Sequence, residues 1–191
     1  MPSSADEVDA ALTSGVDRIE SAIAALEPEI TPIVLIDGRS GAGKSTLARR
    51  VRERWGRPVS MIGLDELYPG WDGLSAGSTL AREFILIPVS EARAAVWRRW
   101  DWAADRPGAE VETPADVPLI LEGAGVLTPS TAPLAHVRVW VESPESARRD
   151  RALARDGDTY RPHWRRWADQ EEEHLRAHRP QSLATIVIDV P

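Results

Sequence analysis

Gly38-Arg39-Ser40-Gly41-Ala42-Gly43-Lys44-Ser45-Thr46 fits the pattern G-x-x-x-x-G-K-[ST]. In such a loop successive backbone N–H groups surround phosphate oxygens, the lysine reaches the β/γ phosphates and the hydroxyl serves Mg²⁺. The pattern should follow a buried strand and open a helix. Pro32-Ile33-Val34-Leu35-Ile36-Asp37, directly before it, is short, apolar and β-branched. After it, Leu47, Val51 and Trp55 recur at helical spacing among Arg49, Arg50, Arg52 and Arg54. Lys44-Ser45-Thr46 would then form the first helical turn, with free N–H groups and the positive dipole end facing the phosphates. Lys44 is also the only lysine in the chain. Lysine is a compact point charge that enters a tight phosphate cradle, whereas arginine is a wide planar fork.

Working outward, the 191 residues suit one domain, 1–191, with 42% hydrophobic and 28% charged residues as in an ordinary globule. The net charge of −7 argues against a nucleic acid partner, because affinity for a phosphate backbone rests on clustered positive charge. A nucleotide stays allowed, since a local site can be positive on an acidic protein. With no cysteine there are neither disulfides nor thiolate metal sites. No apolar run reaches membrane-spanning length and no signal core follows the N-terminus, so the expectation is a cytoplasmic protein without a membrane partner. A homodimer is admitted.

Along the chain, Ser4-Ala5-Asp6-Glu7 has capping-box spacing, and Val8, Leu12, Ile19, Ile23 and Leu26 mark a flanking helix within 1–28. Val59–Leu64 reads as a second buried strand, delivering Asp65-Glu66-Leu67-Tyr68 to the ligand crevice at the carboxyl end of a parallel sheet. Asp65 is there the candidate catalytic base, with an N-cap role as the plain alternative. Pro69–Ser78, which contains Trp71, reads as a closing loop, Thr79–Ile87 as a helix stopped near Pro88, and Ser90–Arg99 as ambiguous. Trp97-Arg98-Arg99-Trp100-Asp101-Trp102 suggests a pocket wall or core packing more than base stacking, and Ala103–Thr113 reads as a polar loop.

Val117–Gly123 is a third buried strand ending in Glu122, a Walker B layout that aims a carboxylate at the magnesium shell. His136–Val141 is a fourth, followed by a helix with Ser143 as N-cap and Pro144 first. That helix carries Arg148, Arg149, Arg151 and Arg155, and region 148–165 reads either as a lid that neutralises the transferring phosphoryl group or as a solvated face. Tyr160-Arg161-Pro162 opens another helix with Trp164 and Trp167. Its Glu171-Glu172-Glu173-His174 run reads as a solvated face, and His163, His174 and His178 as no metal set. Ala184–Asp189 is a fifth strand. The expected fold is therefore α/β: a five-stranded parallel sheet with helices on both faces, of P-loop NTPase type.

Four places in order resemble the uridine kinase and phosphoribulokinase group of small P-loop kinases: Ile36–Thr46, Asp65-Glu66-Leu67-Tyr68, Trp100-Asp101-Trp102 with Pro114–Gly123, and Arg151-x-x-x-Arg155-Asp156. The resemblance implies an enzyme that uses ATP and Mg²⁺ to phosphorylate a hydroxyl of a small molecule, with a nucleoside as leading acceptor. It implies a triphosphate on Gly38, Ser40, Gly41, Ala42, Gly43, Lys44, Ser45 and Thr46, and magnesium served by Ser45 and Glu122. Lys44, Asp65, Arg151 and Arg155 would then be catalytic. An acceptor region, 65–113, would offer Tyr68, Trp71, Asp101 and Arg106. The chain departs from the family in the tryptophans around Asp101 and in the loop 69–78. This keeps open a non-nucleoside alcohol as acceptor (sugar acid, vitamin precursor or antibiotic), or a nucleotide-binding switch acting through a protein partner.

Overall fold

The computed structural model describes residues 4–191, with the side chains of residues 155, 156, 158 and 159 outside that description. Five strands form one parallel sheet: β1 (Ile33–Asp37), β2 (Ser60–Gly63), β5 (Leu119–Glu122), β6 (Val137–Glu142) and β7 (Ile186–Asp189), in the order β2-β5-β1-β6-β7. All four neighbouring pairs are parallel, and Glu122 lies in register with both Ile36 and Gly63.

Side-chain alternation assigns the two faces. Ile33, Leu35, Leu119 and Leu121 point into one apolar cluster, while Val34, Ile36, Ile120, Val139 and Ile188 point into the other. A sheet buried on both faces needs largely apolar strands, and the central pair β1 and β5 is buried at every position. The second face is covered by α1 (Ser4–Ala24), through Leu12, Val16 and Ile19, and by α2 (Lys44–Arg54), through Leu47 and Val51. The first face is covered by α3 (Leu74–Ala81) and by α6 (Trp164–His178), through Leu74, Ala81 and Trp167. The α/β parallel-sheet expectation is met. No helix among the described residues is long and apolar enough to cross a membrane.

Three local expectations are corrected. The supposed loop 69–78 turns helical at Leu74, and the helix then runs through a π-helical stretch Arg82–Leu86 into α4 (Ile87–Ser90), ending just past Pro88. A widened turn before a proline relieves the ring's clash with the preceding carbonyls, so the axis carries on past it. The ambiguous stretch and the supposed polar loop are instead the two arms of an antiparallel hairpin, β3 (Ala95–Asp101) and β4 (Arg106–Thr113). Its Ala95 and Trp97 are buried and Val96 and Arg98 exposed, the period-2 signature of a half-buried strand. Finally, α5 (Glu145–Tyr160) starts after Pro144 with no side-chain cap, and Ser143 Oγ accepts from Arg151 instead.

A crossover from β1 to the sheet edge at β2, with β5 filling the gap and β6 beyond, makes β1 and its neighbours the switch point of the sheet. Ligands of open α/β sheets bind outside the carboxyl ends of the strands at that point. The chain places the ends of β1, β2 and β5 there.

Candidate active site

The loop after β1 is shaped by backbone that only glycine tolerates. Gly41 has φ +79° and sits so close to the Arg148 carbonyl that a Cβ would collide with it. Gly43, at φ +105°, immediately precedes the first turn of α2. No side chain caps this helix start, so its N–H groups stay available to an anion. The loop carbonyls are engaged from outside: Arg148 Nη1 donates to Ser40 O at 3.3 Å and Arg151 Nε to Gly41 O at 2.9 Å. Burial lowers the pKa of both guanidinium groups, with Arg39 adding to the effect on Arg148 and Arg148 to that on Arg151.

Lys44 is 8% exposed, and its ammonium donates to the Arg39 carbonyl at 3.0 Å. Among the described residues no carboxylate pairs with it. A buried ammonium held by one neutral acceptor is incompletely compensated, and an anion in the loop would complete it.

A cleft of about 740 Å³ opens beside Lys44 and is lined by Ser40, Ser45, Asp65, Glu122, Gly123 and a group of rings, Tyr68, Trp71, Trp102, Tyr160 and Trp167. Of the residues singled out in the sequence, Ser40, Lys44, Ser45, Asp65, Tyr68, Trp71 and Glu122 share this cleft. Asp65 follows β2 in a short 3-10 turn (Leu64–Glu66), and its Oδ1 and Glu122 Oε1 both lie close to Gly63, where a Cβ would meet the first and come within 3.7 Å of the second. The absence of a side chain at Gly63 therefore makes room for two carboxylates. Among the described residues the Asp65 carboxylate accepts no hydrogen bond, which leaves it available to a ligand.

Ser45, Asp65 and Glu122 offer hard oxygen donors. No group of three or more His, Cys, Asp or Glu converges into a metal cage among the described residues. One or two carboxylates plus phosphate oxygens and water is the coordination that Mg²⁺ favours, so the residues present fit it.

Tyr68 reports the local field. Its hydroxyl donates to Ala124 O at 2.8 Å, and burial, then the charges of Asp37, Asp65, Glu122 and Glu171, push its pKa well above the ordinary tyrosine value. With the folded pKa raised, the neutral phenol stabilises the native state fully below the unfolded value near 10, and that contribution is lost as pH rises above it. Ultraviolet titration of tyrosinate should therefore show Tyr68 ionising only with alkaline unfolding. Two tyrosines titrating near the ordinary tyrosine value in the folded protein would contradict this.

The rings pack on one another. Trp71 stacks on His163 with centroids 4.1 Å apart and on Tyr160 at 5.6 Å, and meets Trp102 at 5.1 Å. Trp167 stands edge-on to Tyr68 at 4.7 Å. Trp102 Nε1 donates to the Asp65 carbonyl at 2.9 Å, tying the hairpin to the end of β2.

Other residues singled out in the sequence lie elsewhere. Asp101 Oδ1 accepts from the N–H groups of Ala103 and Ala104, both at 3.0 Å, so its carboxylate shapes the hairpin turn, while Trp102 takes the cleft position. Arg106 lies opposite Asp101 in the hairpin, exposed and outside the cleft lining. Arg151 braces the loop from behind, donating also to Pro191 O at 2.7 Å, and does not line the cleft. The Arg155 side chain lies outside the described residues.

The Glu171-Glu172-Glu173-His174 run is corrected most. Glu172 and Glu173 are exposed, but Glu171 and His174 are 3% and 7% exposed. Glu171 Oε1 accepts from Ser40 N at 2.6 Å, and its Oε2 accepts from Arg39 Nε at 3.2 Å. His174 Nε2 meets Asp37 Oδ2 at 3.1 Å. Their helical spacing from Trp167, four and seven residues on, was the available signal.

No family model matches the chain, and no curated protein matches it in sequence. Solved structures do match its fold. A possible uridine kinase from Bacillus stearothermophilus superposes with a TM-score of 0.68 at 17% identity, covering 93% of this chain and 99% of that one. A protein described as a fructose transport system kinase, from Silicibacter sp. TM1040, gives 0.57 at 18%, covering 92% and 98%. The YGR205w protein gives 0.57 at 12%, covering 94% of each chain. The chain thus shares the fold of these proteins, two of which are described as kinases.

Proposed function

We propose that this chain is an ATP- and Mg²⁺-dependent phosphotransferase that moves the γ-phosphoryl group to a hydroxyl of a small molecule, with nucleosides as the leading acceptor class. The observation that carries the reading is the buried Lys44 ammonium, paired among the described residues only with a carbonyl, in a cleft that Asp65 also lines. The loop N–H groups and Lys44 bind and orient the triphosphate. Ser45 and Glu122 would hold magnesium, which supplies charge neutralisation on the phosphoryl oxygens. Asp65 orients the acceptor hydroxyl and takes its proton as the new P–O bond forms and the bond from the γ-phosphorus to the β,γ-bridging oxygen breaks, with ADP as the leaving group. In-line transfer is mostly positioning and electrostatics, and the site offers both.

The five rings offer flat apolar surface to a base, as stacking requires. Lys44 is the one cationic side chain lining the cleft among the described residues, so an anionic acceptor such as a sugar acid finds no counter-charge once the triphosphate has claimed it. The similarity to a protein described as a sugar transport kinase keeps an uncharged sugar alcohol as the second reading. The test is ADP release from Mg·ATP in the presence of uridine, cytidine, adenosine, fructose and gluconate, each alone. Stimulation by a nucleoside is expected. Stimulation by fructose alone would select the second reading, and stimulation by gluconate alone would contradict the charge argument.

A further inference from the structure

Trp167, Gln170, Glu171 and His174 fall on one face of α6 at helical spacing. Its first half touches the cleft wall: Trp167 packs edge-on to Tyr68 and Trp71, Gln170 Nε2 donates to Trp71 O at 2.8 Å, and Gln170 Oε1 accepts from Leu74 N at 3.3 Å. Its second half holds the entry to the phosphate loop. Glu171 accepts from the Ser40 N–H and from Arg39, and His174 donates to Asp37. Asp37, fully buried, accepts in turn from the N–H groups of Gly38 at 2.6 Å, Gly125 at 3.0 Å and Leu127 at 2.8 Å.

Burying a carboxylate and an imidazole on a surface helix is unfavourable unless each is met by well-placed partners. Among the described residues their hydrogen-bond partners all belong to the phosphate loop or to the carboxylate that pins its first residue, and the His174 ring packs besides on His178. A helix is stiff along its axis, so displacement of the loop cannot leave Trp167 and Gln170 where they were.

We infer that α6 is a strut that couples occupancy of the phosphate loop to the shape of the aromatic wall, with Glu171 and His174 as positioning residues. The inference rests on the phosphotransferase reading and extends it to the linkage of its two ligands: whatever nucleotide does to the wall, an acceptor on the wall does to nucleotide affinity, by reciprocity. The connection is contiguous, from Ser40 through Glu171 to Trp167 and from Gly38 through Asp37 and His174 to the same helix.

The test uses the full chain labelled with 5-fluorotryptophan, which gives eight fluorine positions, the Trp167 resonance being assigned by its loss in Trp167→Phe. Mg·ADP is the probe, because it fills the loop without carrying a γ-phosphate into the cleft. Saturation, established by calorimetry, should shift the Trp167 resonance in the native chain, and Glu171→Gln should lose that shift while still binding ADP. His174→Asn is read in the same way should Glu171→Gln not fold. ADP heat with no movement of Trp167 in the native chain, or an undiminished shift in the folded variant, overturns the strut. Absence of ADP heat in the native chain removes the phosphotransferase reading and the strut together.

Discussion

Lys44→Ala is expected to lower turnover by about 10²-fold or more, the scale for losing one electrostatic stabiliser of a developing charge. Nothing else lining the cleft among the described residues carries a positive charge, so the β/γ oxygens lose their only ammonium. The fold should survive, because among the described residues Lys44 Nζ makes a single bond, to a neutral carbonyl, and the loop is braced independently by Arg148, Arg151 and Glu171. Circular dichroism and melting temperature close to native, with the loss confined to ADP release, are the expected pattern. Lys44→Arg should not restore activity, since a planar fork does not fit where a point charge sits between Arg39 O and the loop. Near-native kinetics in purified Lys44→Ala would contradict the assignment.

Asp65→Asn is expected to lower turnover by about 10²- to 10⁴-fold, the range for removing a positioned general base. The substitution is nearly isosteric at an exposed side chain that accepts no hydrogen bond among the described residues, so stability should not change. Nucleotide affinity should hold, because the loop and Lys44 are untouched. A folded Asp65→Asn enzyme that binds nucleotide but transfers no phosphate would distinguish catalysis from a switch function. Full function in that variant would instead favour the nucleotide-binding switch.

Much of this architecture could be read before any coordinates. The Gly38–Thr46 loop is a local backbone requirement, written in glycines that must sit at positive φ and in a lysine at a fixed offset. The central strands β1 and β5 are short runs buried at every position, the pattern of a sheet covered on both faces. Asp65 and Glu122 were legible as residues at strand ends, a place the sheet topology turns into a crevice.

What was missed depends on contacts between distant segments. In β3 burial alternates over Ala95-Val96-Trp97-Arg98, but Ala95, Val96 and Trp97 are all apolar, so the residue types show no alternation, and β4 has little apolar content beyond Val111. Asp101 was placed in the pocket by resemblance, whereas the general habit of Asp to bond backbone N–H groups two or three residues on is what its carboxylate does here. Arg151 belongs to an arginine-rich helix in either reading, and only the position of the Gly41 and Pro191 carbonyls decides that it braces the loop. Glu171 was hidden in a run of three acids. Composition calls that run solvated, and helical phase relative to Trp167 separates one member from its exposed neighbours.

The most direct test of the account is a structure determined with Mg²⁺ and a non-hydrolysable ATP analogue. The triphosphate is expected in the Gly38–Thr46 loop, with Lys44 withdrawn from Arg39 O onto phosphate oxygens and the terminal phosphate facing Asp65 and Glu122. Nucleotide bound in another cavity, or a loop that leaves Lys44 on the carbonyl at saturating analogue, would contradict it.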